Sequence, residues 1–266
     1  MGWVLLLAAA LEAAAAEDRS ILLASTTTAE KTGLFAYLLP AFKQASGIEV
    51  KVVATSTAEA LDAARRGEAD AVLVHDKVEE DRFVAEGFGL KRQEVMRNDF
   101  VLVGPAGDPA KAAGTDILEA LRRLAAAKAT FVSRGDKSGT HAAELRYWKA
   151  AAVEAPAAAG VAYKECKCGM GQALALAAAE HAYVLADRGT WLGFKDRADL
   201  SIVVERDSRL ANPFAVTVVN PARSPKAKRE LAQTFADWLV SPQGQAAIAT
   251  YRVHGEPLFR PSAAAQ

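Results

Sequence analysis

Cysteine is scarce in this chain of 266 residues: Cys166 and Cys168 are the two there are, one residue apart. A framework of stapled loops or a tetrahedral zinc site needs more of them at wider spacing, so neither is in prospect. A disulfide between these two would close so short a loop that it would remove little entropy from the unfolded chain. Histidine is thin as well, and His75, His141, His181 and His254 stand apart with no H-E-x-x-H pairing. Net charge is missing, because 32 Lys and Arg balance 32 Asp and Glu, which removes the basic field expected of a nucleic-acid binder. No Walker-type loop and no G-x-S-x-G elbow occurs, and Gly169-Met170-Gly171 alone is too little for a dinucleotide fingerprint. Nucleotide and serine-hydrolase chemistry therefore have no footing. No internal repeat is present, and after residue 16 no apolar run is long enough to cross a bilayer.

What remains is an ordinary soluble composition, 51% hydrophobic and 24% charged, in a chain long enough for two lobes with cores of their own. The first residues differ. Trp3 to Leu11 is apolar, and Ala13 to Ala16 is a run of small residues ahead of Glu17, the pattern of a secretory signal peptide over residues 1–16. No basic residue precedes the apolar run and Glu12 interrupts it; the competing reading is an N-terminal helix. Export predicts a periplasmic protein, and with no cysteine beside the signal, one without a lipid anchor.

Beyond the signal, short apolar runs alternate with helical patterns. Ser20–Ala24, Ile48–Ala54 and Ala71–Val74 read as strands, and each leads through a polar turn into a helix. Ser25-Thr26-Thr27-Thr28 precedes a helix with Leu34, Tyr37, Leu38 and Phe42 on one face. Thr55-Ser56-Thr57 precedes a helix through Leu61 to Arg66, and His75-Asp76 precedes Val78–Glu86. This repetition predicts an α/β fold of two lobes, each a mainly parallel sheet flanked by helices. Asn98–Pro105 is a strand ending in a breaker, and Phe214–Val219 is a strand starting after Asn212-Pro213, so the chain is expected to cross into a second lobe and return. The expected division is 17–104 for the first part of lobe 1, 105–212 for lobe 2 and 213–266 for the return segment. Lobe 2 repeats the order: strand Ala129–Val132, turn Ser133–His141 and a helix, then a loop at 155–160, the turn Cys166–Gly171 and helix Gln172–Glu180.

The turn Ser133-Arg134-Gly135-Asp136-Lys137-Ser138-Gly139-Thr140-His141 organises the rest. A helix start presents unpaired N–H groups and the positive end of the helix dipole, which attract an anion. Arg134 adds a permanent planar charge whose donors suit a tetrahedral oxyanion, and Ser138 and Thr140 add hydroxyls. A capped helix after a tight turn, with Asp136 or Ser138 as the cap, accounts for the same residues. The other turns bear on the choice: one cap needs one hydroxyl, and Ser25–Thr28 supplies four in a row. In open α/β sheets ligands sit at the carboxyl ends of strands, where such turns cluster. The candidate ligand-binding residues are Ser25, Thr26, Thr27, Thr28, Ser56 and Thr57 from lobe 1, with Arg134, Ser138, Thr140 and Gly169 from lobe 2. Together they would hold a small oxyanion by neutral dipoles and one charge.

In these stretches the chain resembles the periplasmic tungstate-binding proteins of ABC importers, which have the type II periplasmic-binding-protein fold. The resemblance runs from about Leu22 to Pro261. It rests on Ser25–Thr28 with Gly33-Leu34-Phe35 and Tyr37–Pro40, on Asn98-Asp99-Phe100 with Val103-Gly104-Pro105, and most specifically on Ser133–His141. Asp187–Thr190, Asn212-Pro213-Phe214 and Gly255–Phe259 are similar too. It implies capture of a tungstate or molybdate dianion without catalysis and without a cofactor, and delivery to a membrane permease by a monomer. It also implies that Thr26, Thr27, Thr28 and Thr57 donate from one lobe and Arg134, Ser138 and Thr140 from the other.

Two departures stand out. Ser56-Thr57-Ala58 replaces the family's Gly-Thr-Gly, and Cys166-Lys167-Cys168 replaces Thr-Gly-Gln before Gly-Met-Gly. Thiolates favour soft species such as trivalent arsenic, copper(I) or zinc, so Cys166 and Cys168 as ligands would redirect the site. The other readings are incidental cysteines beside an unaltered oxyanion site, and a disulfide. A binding protein for a membrane sensor, and an oxyanion-transforming enzyme, are the alternative functions.

Overall fold

The computed structural model describes residues 19–153, 162–253 and 255–263. The expected signal peptide, 1–16, and the expected loop at 155–160 lie outside them.

The chain opens with β1 (Ser20–Thr26), α1 (Thr27–Lys31), α2 (Leu34–Ser46), β2 (Glu49–Thr55), α3 (Thr57–Arg65), β3 (Ala71–Val74) and α4 (Lys77–Ala85). β1 lies between β2 and β3 and is parallel to both. Between α1 and α2 the chain turns at Gly33, whose φ of +80° and whose closeness to the Tyr251 hydroxyl leave no room for a side chain. β4 (Gly89–Pro105) follows. Then come α5 (Ile117–Ala126), β5 (Thr130–Ser133), α6 (Gly139–Ala150), β6 (Ala162–Glu165), α7 (Met170–Glu180), β7 (Tyr183–Asp187), α8 (Arg188–Gly193) and β8 (Leu200–Val204). β9 (Ala211–Val219), α9 (Arg229–Val240), α10 (Pro242–Thr250) and the two-residue strands β10 (Arg252–Val253), β11 (Glu256–Pro257) and β12 (Arg260–Pro261) complete the described chain.

Side-chain alternation along the strands builds a core on each face of each sheet. In β3, Ala71 and Leu73 face a cluster that includes Leu23, Phe42, Phe214 and Phe235, while Val72 and Val74 face another with Leu61 and Phe83. In β4, Phe100 and Leu102 join Phe131, Trp148 and Tyr183, while Val101 and Val103 join Val132, Leu174 and Val184. The first two clusters draw on residues between 21 and 96 and beyond 214; the other two lie wholly between 100 and 210. The protein is therefore two-lobed, and the change of core falls between Met96 and Phe100, and again between Leu210 and Phe214. Residues 100–105 thus lie with the second core, upstream of the division that the breaker Gly104-Pro105 marks in the sequence.

One strand serves both lobes. β4 is 17 residues long; its first part pairs with β9, and its last residues pair with β7 and β8. All of these pairs are antiparallel, as is β3 with β9, whereas β5 is parallel to both β6 and β7. Each sheet is thus mixed rather than mainly parallel. The βα repeats give the parallel pairs, and the two strands that carry the chain between lobes enter against that direction. A second departure is Tyr37, which is 46% exposed while Leu34, Leu38 and Phe42 are buried.

Glu144, on α6, is buried and accepts a hydrogen bond from the Tyr163 hydroxyl at 2.5 Å. Burial pushes its carboxyl from the ordinary 4.5 up to about 8. Its contribution to stability is present in full below the ordinary value and is lost as the pH rises through about 8. The melting temperature is expected to fall progressively between pH ~5 and pH ~8 and to level off above that. Glu144→Gln, which keeps an acceptor for Tyr163 but cannot ionise, should flatten that fall; an unchanged slope would remove Glu144 as its cause.

Candidate functional site

The carboxyl ends of β1, β2, β3 and β5 open onto a cavity of about 290 Å³. Thr26, Thr27, Thr28, Ser56, Thr57 and His75 line it from the first lobe, and Arg134, Asp136, Ser138 and Gly139 from the second. The starts of α1, α3 and α6 therefore meet in one place. An adjoining cavity of about 350 Å³ shares Thr27, Thr28 and Arg134 and extends to the start of α7 at Gly169, Met170 and Gly171.

Three of the hydroxyls cap helices. Thr26 accepts from Ala29 N at 3.2 Å, Ser56 from Glu59 N at 3.2 Å in a reciprocal capping box, and Ser138 from His141 N at 3.3 Å. For these oxygens the local explanation holds, and it also fixes the helix starts that line the cavity. Ser25 is placed differently from expectation. It is fully buried, lines neither cavity, and donates to Leu73 O at 2.6 Å, tying β1 to β3. A strand residue alternates sides, so the first hydroxyl of the run points into the sheet rather than to its end.

Other polar atoms have no such local account. Arg134 is 4% exposed; Nη2 donates to Asp136 Oδ2 at 2.5 Å, while Nε and Nη1 have no partner within the protein. Thr57 Oγ1 and Thr140 Oγ1 are likewise buried without a partner, although Thr140 lines neither cavity. Burying unpaired donors is costly, and a guanidinium most of all. An oxyanion answers these groups: Nε and Nη1 are unpaired donors on different sides of the guanidinium, and the N–H groups of Thr27, Thr28 and Gly139 stand at helix starts. Among the described residues no group of three or more His, Cys, Asp or Glu could hold a metal cation.

Cys166 and Cys168 form a disulfide. They pack beside the Val101–Val132 core and line neither cavity. Their expected role as thiol ligands is therefore corrected: a disulfide sulfur is not a thiolate, and the pair stands outside the site. The segment is nonetheless attached to it, because Cys166 N donates to Ser133 O at 3.0 Å and Cys168 N to Arg134 O at 3.1 Å. It forms the backing of the arginine turn.

Two participants went unassigned in the sequence. Asp136 accepts from Ser138 N at 3.1 Å as well as pairing with Arg134, so one carboxylate orders both charge and cap. His75 is buried; its Nδ1 lies 3.0 Å from Asn212 Oδ1, and its ring stacks on Phe214 at 4.6 Å. Burial, with the Arg134 charge adding to it, holds the imidazole pKa below its ordinary value, so the ring is neutral. Its position at the end of β3, matching Ser25–Thr28 after β1, was the available signal.

A family model described as the PBP superfamily domain matches residues 12–243. The chain is 44% identical over 246 residues to the tungstate-binding protein TupA of Peptoclostridium acidaminophilum, covering 91% of this chain and 85% of that one. The chain belongs to the TupA family of the PBP superfamily. Solved structures agree. The tungstate-binding protein TupA from Desulfovibrio alaskensis G20 superposes with a TM-score of 0.83 at 38% identity, over 92% of this chain and 99% of that one. The tungstate ABC transporter structure from Geobacter sulfurreducens gives 0.78 at 42% identity, over 88% and 99%. The likeness carried by the turns in sequence thus extends to the fold of the whole family member.

The lobes touch at Gly139. A Cβ there would lie 2.8 Å from His75 Cε1, 3.0 Å from His75 Nδ1 and 3.3 Å from Thr57 Oγ1. Gly139→Ala suits a helix start but prevents this approach. Overpacking of this kind costs about 1–3 kcal/mol, so the ligand dissociation constant is expected to rise roughly 5- to 150-fold. The melting temperature of the ligand-free protein should stay near the wild-type value. Calorimetry showing unchanged affinity would mean that the contact plays no part in binding.

Proposed function

We propose that this protein captures a tetrahedral oxoanion, tungstate or its near-isostere molybdate, between its two lobes and presents it to the permease of an ABC importer. The observation that carries this reading is the Arg134 guanidinium, buried with two N–H donors unpaired where the helix starts of both lobes meet. The TupA relatives, named for tungstate, support the choice of ion. Neutral hydroxyls and backbone amides suit a fully oxygenated dianion, which needs donors and offers only acceptors. The disulfide argues against a soft, thiophilic ligand.

The protein works by closure. The anion first meets the helix starts of lobe 1 at Thr27, Thr28 and Thr57; lobe 2 then brings Arg134 and the α6 start over it. Lobe 1 is taken as the residues up to about 99 with those from about 211 on, lobe 2 as about 100–210, and β4 and β9 carry the movement. The closed form is what a permease reads. Binding is taken as stoichiometric rather than catalytic, a reading supported by relatives that are named as binding proteins. The signal over residues 1–16 sends the protein to the periplasm, where it acts as a monomer.

Calorimetry on the mature protein with tungstate, molybdate, sulfate and phosphate tests this. One-to-one binding of tungstate is expected. Arg134→Ala should remove a desolvated charge-assisted contact worth about 2–5 kcal/mol, a loss of roughly 30-fold or more in affinity. Wild-type affinity in that variant, or no response to any oxoanion, would overturn the assignment.

A further inference from the structure

α6 holds the first lobe at a second point. Two turns beyond its capped start, Arg146 Nη1 lies 2.9 Å from Asp76 Oδ2 and 3.2 Å from Asp76 Oδ1. Asp76 follows β3 in the first lobe and is 1% exposed; Arg146 belongs to the second lobe and its side chain is 44% exposed. The ion pair therefore spans the cleft on the same helix whose first turn lines the anion cavity.

We propose that Arg146 and Asp76 form a latch that sets how long the closed form lasts, and hence the rate at which the anion leaves; this rests on the closure reading above. The two partners suit a contact that is made and broken. Asp76 Oδ1 also accepts from Val78 N at 3.1 Å and Glu79 N at 3.4 Å, capping α4. When the lobes part, its carboxylate keeps those bonds and gains water instead of being left unsatisfied. Arg146 is half in solvent already, so its head group is easily rehydrated. An exposed ion pair contributes little, but here one partner is fully desolvated in the closed form, which strengthens the attraction. Because α6 is a single 12-residue helix, the anion at its start and Asp76 on its flank bias the same rigid movement. Arg146 lines neither cavity, so it acts on the ligand only through closure.

Stopped-flow kinetics and calorimetry with sodium tungstate on Arg146→Gln, Asp76→Asn and the double variant test the latch. Asn is chosen because it still caps a helix. Each single variant is expected to raise the dissociation constant roughly 5- to 20-fold, almost all of it in the dissociation rate. The double variant should be no worse than the weaker single one, since the two residues make one contact. Dissociation rates within about twofold of wild type, or losses that simply add, would overturn the proposal. Small-angle scattering of the ligand-free proteins separates this from the choice of ion. If wild type binds no tungstate, the oxoanion reading fails on its own. The latch is then still supported if the ligand-free wild type shows a closed population that Arg146→Gln loses, and overturned if that population is absent or is unchanged in the variant.

Discussion

A guanidinium taken out of water dominates this structure. Arg134 is buried at the seam of two lobes, and everything around it answers to its charge. Asp136 neutralises one side, leaving Nε and Nη1 unpaired. With one positive charge already matched by a carboxylate, the cavity has little net charge to offer a dianion. Attraction has to come from oriented dipoles, which is why helix starts from both lobes converge there and why hydroxyls rather than lysines line it. A site built from dipoles is demanding in geometry and sparing in charge. It favours an ion whose oxygens can reach several donors at once, and it releases that ion when the donors move apart.

Much of this was legible in the chain itself. The strand, polar turn and helix order after residues 20, 48 and 71 predicts the parallel pairs of β1 with β2 and β3, and the turns at Thr26–Thr28, Ser56-Thr57 and Arg134–Ser138 do line one cavity. What the sequence hid has physical reasons. The first half of β4 carries Lys91, Arg92, Gln93 and Glu94, charged and polar residues that mask a strand held by pairing with β9 rather than by burial. Direction within a sheet depends on how the chain returns, which no local pattern records, so the antiparallel pairs of β4 and β9 were not foreseen. Ser25 looked like its three neighbours because composition does not reveal which side of a strand a hydroxyl faces. His75 and Asp136 take their roles from residues distant in the chain or from a turn's fold, as His75 does from Asn212.

The cysteines show how a residue type misleads when its state is unknown. As thiols they would have promised a soft ligand; as a disulfide they become backbone scaffolding, their amides holding the carbonyls of Ser133 and Arg134. Where the family resemblance has Thr-Gly-Gln, this chain has a cyclised turn doing positional duty behind the arginine. The hard, dipolar character of the cleft is therefore unchanged by a substitution that seemed to alter it most.

The paired strands β4 and β9 carry one more consequence. Asp99 and Ala211 are register partners, so the chain between them leaves and rejoins a single antiparallel ladder. The second core is a contiguous insertion, complete once residue 210 exists, whereas the first core lacks Phe214, Phe235 and Phe259 until the end of synthesis. The guest's core is thus closed within one stretch of chain, while the host's core is stitched from chain on both sides of it.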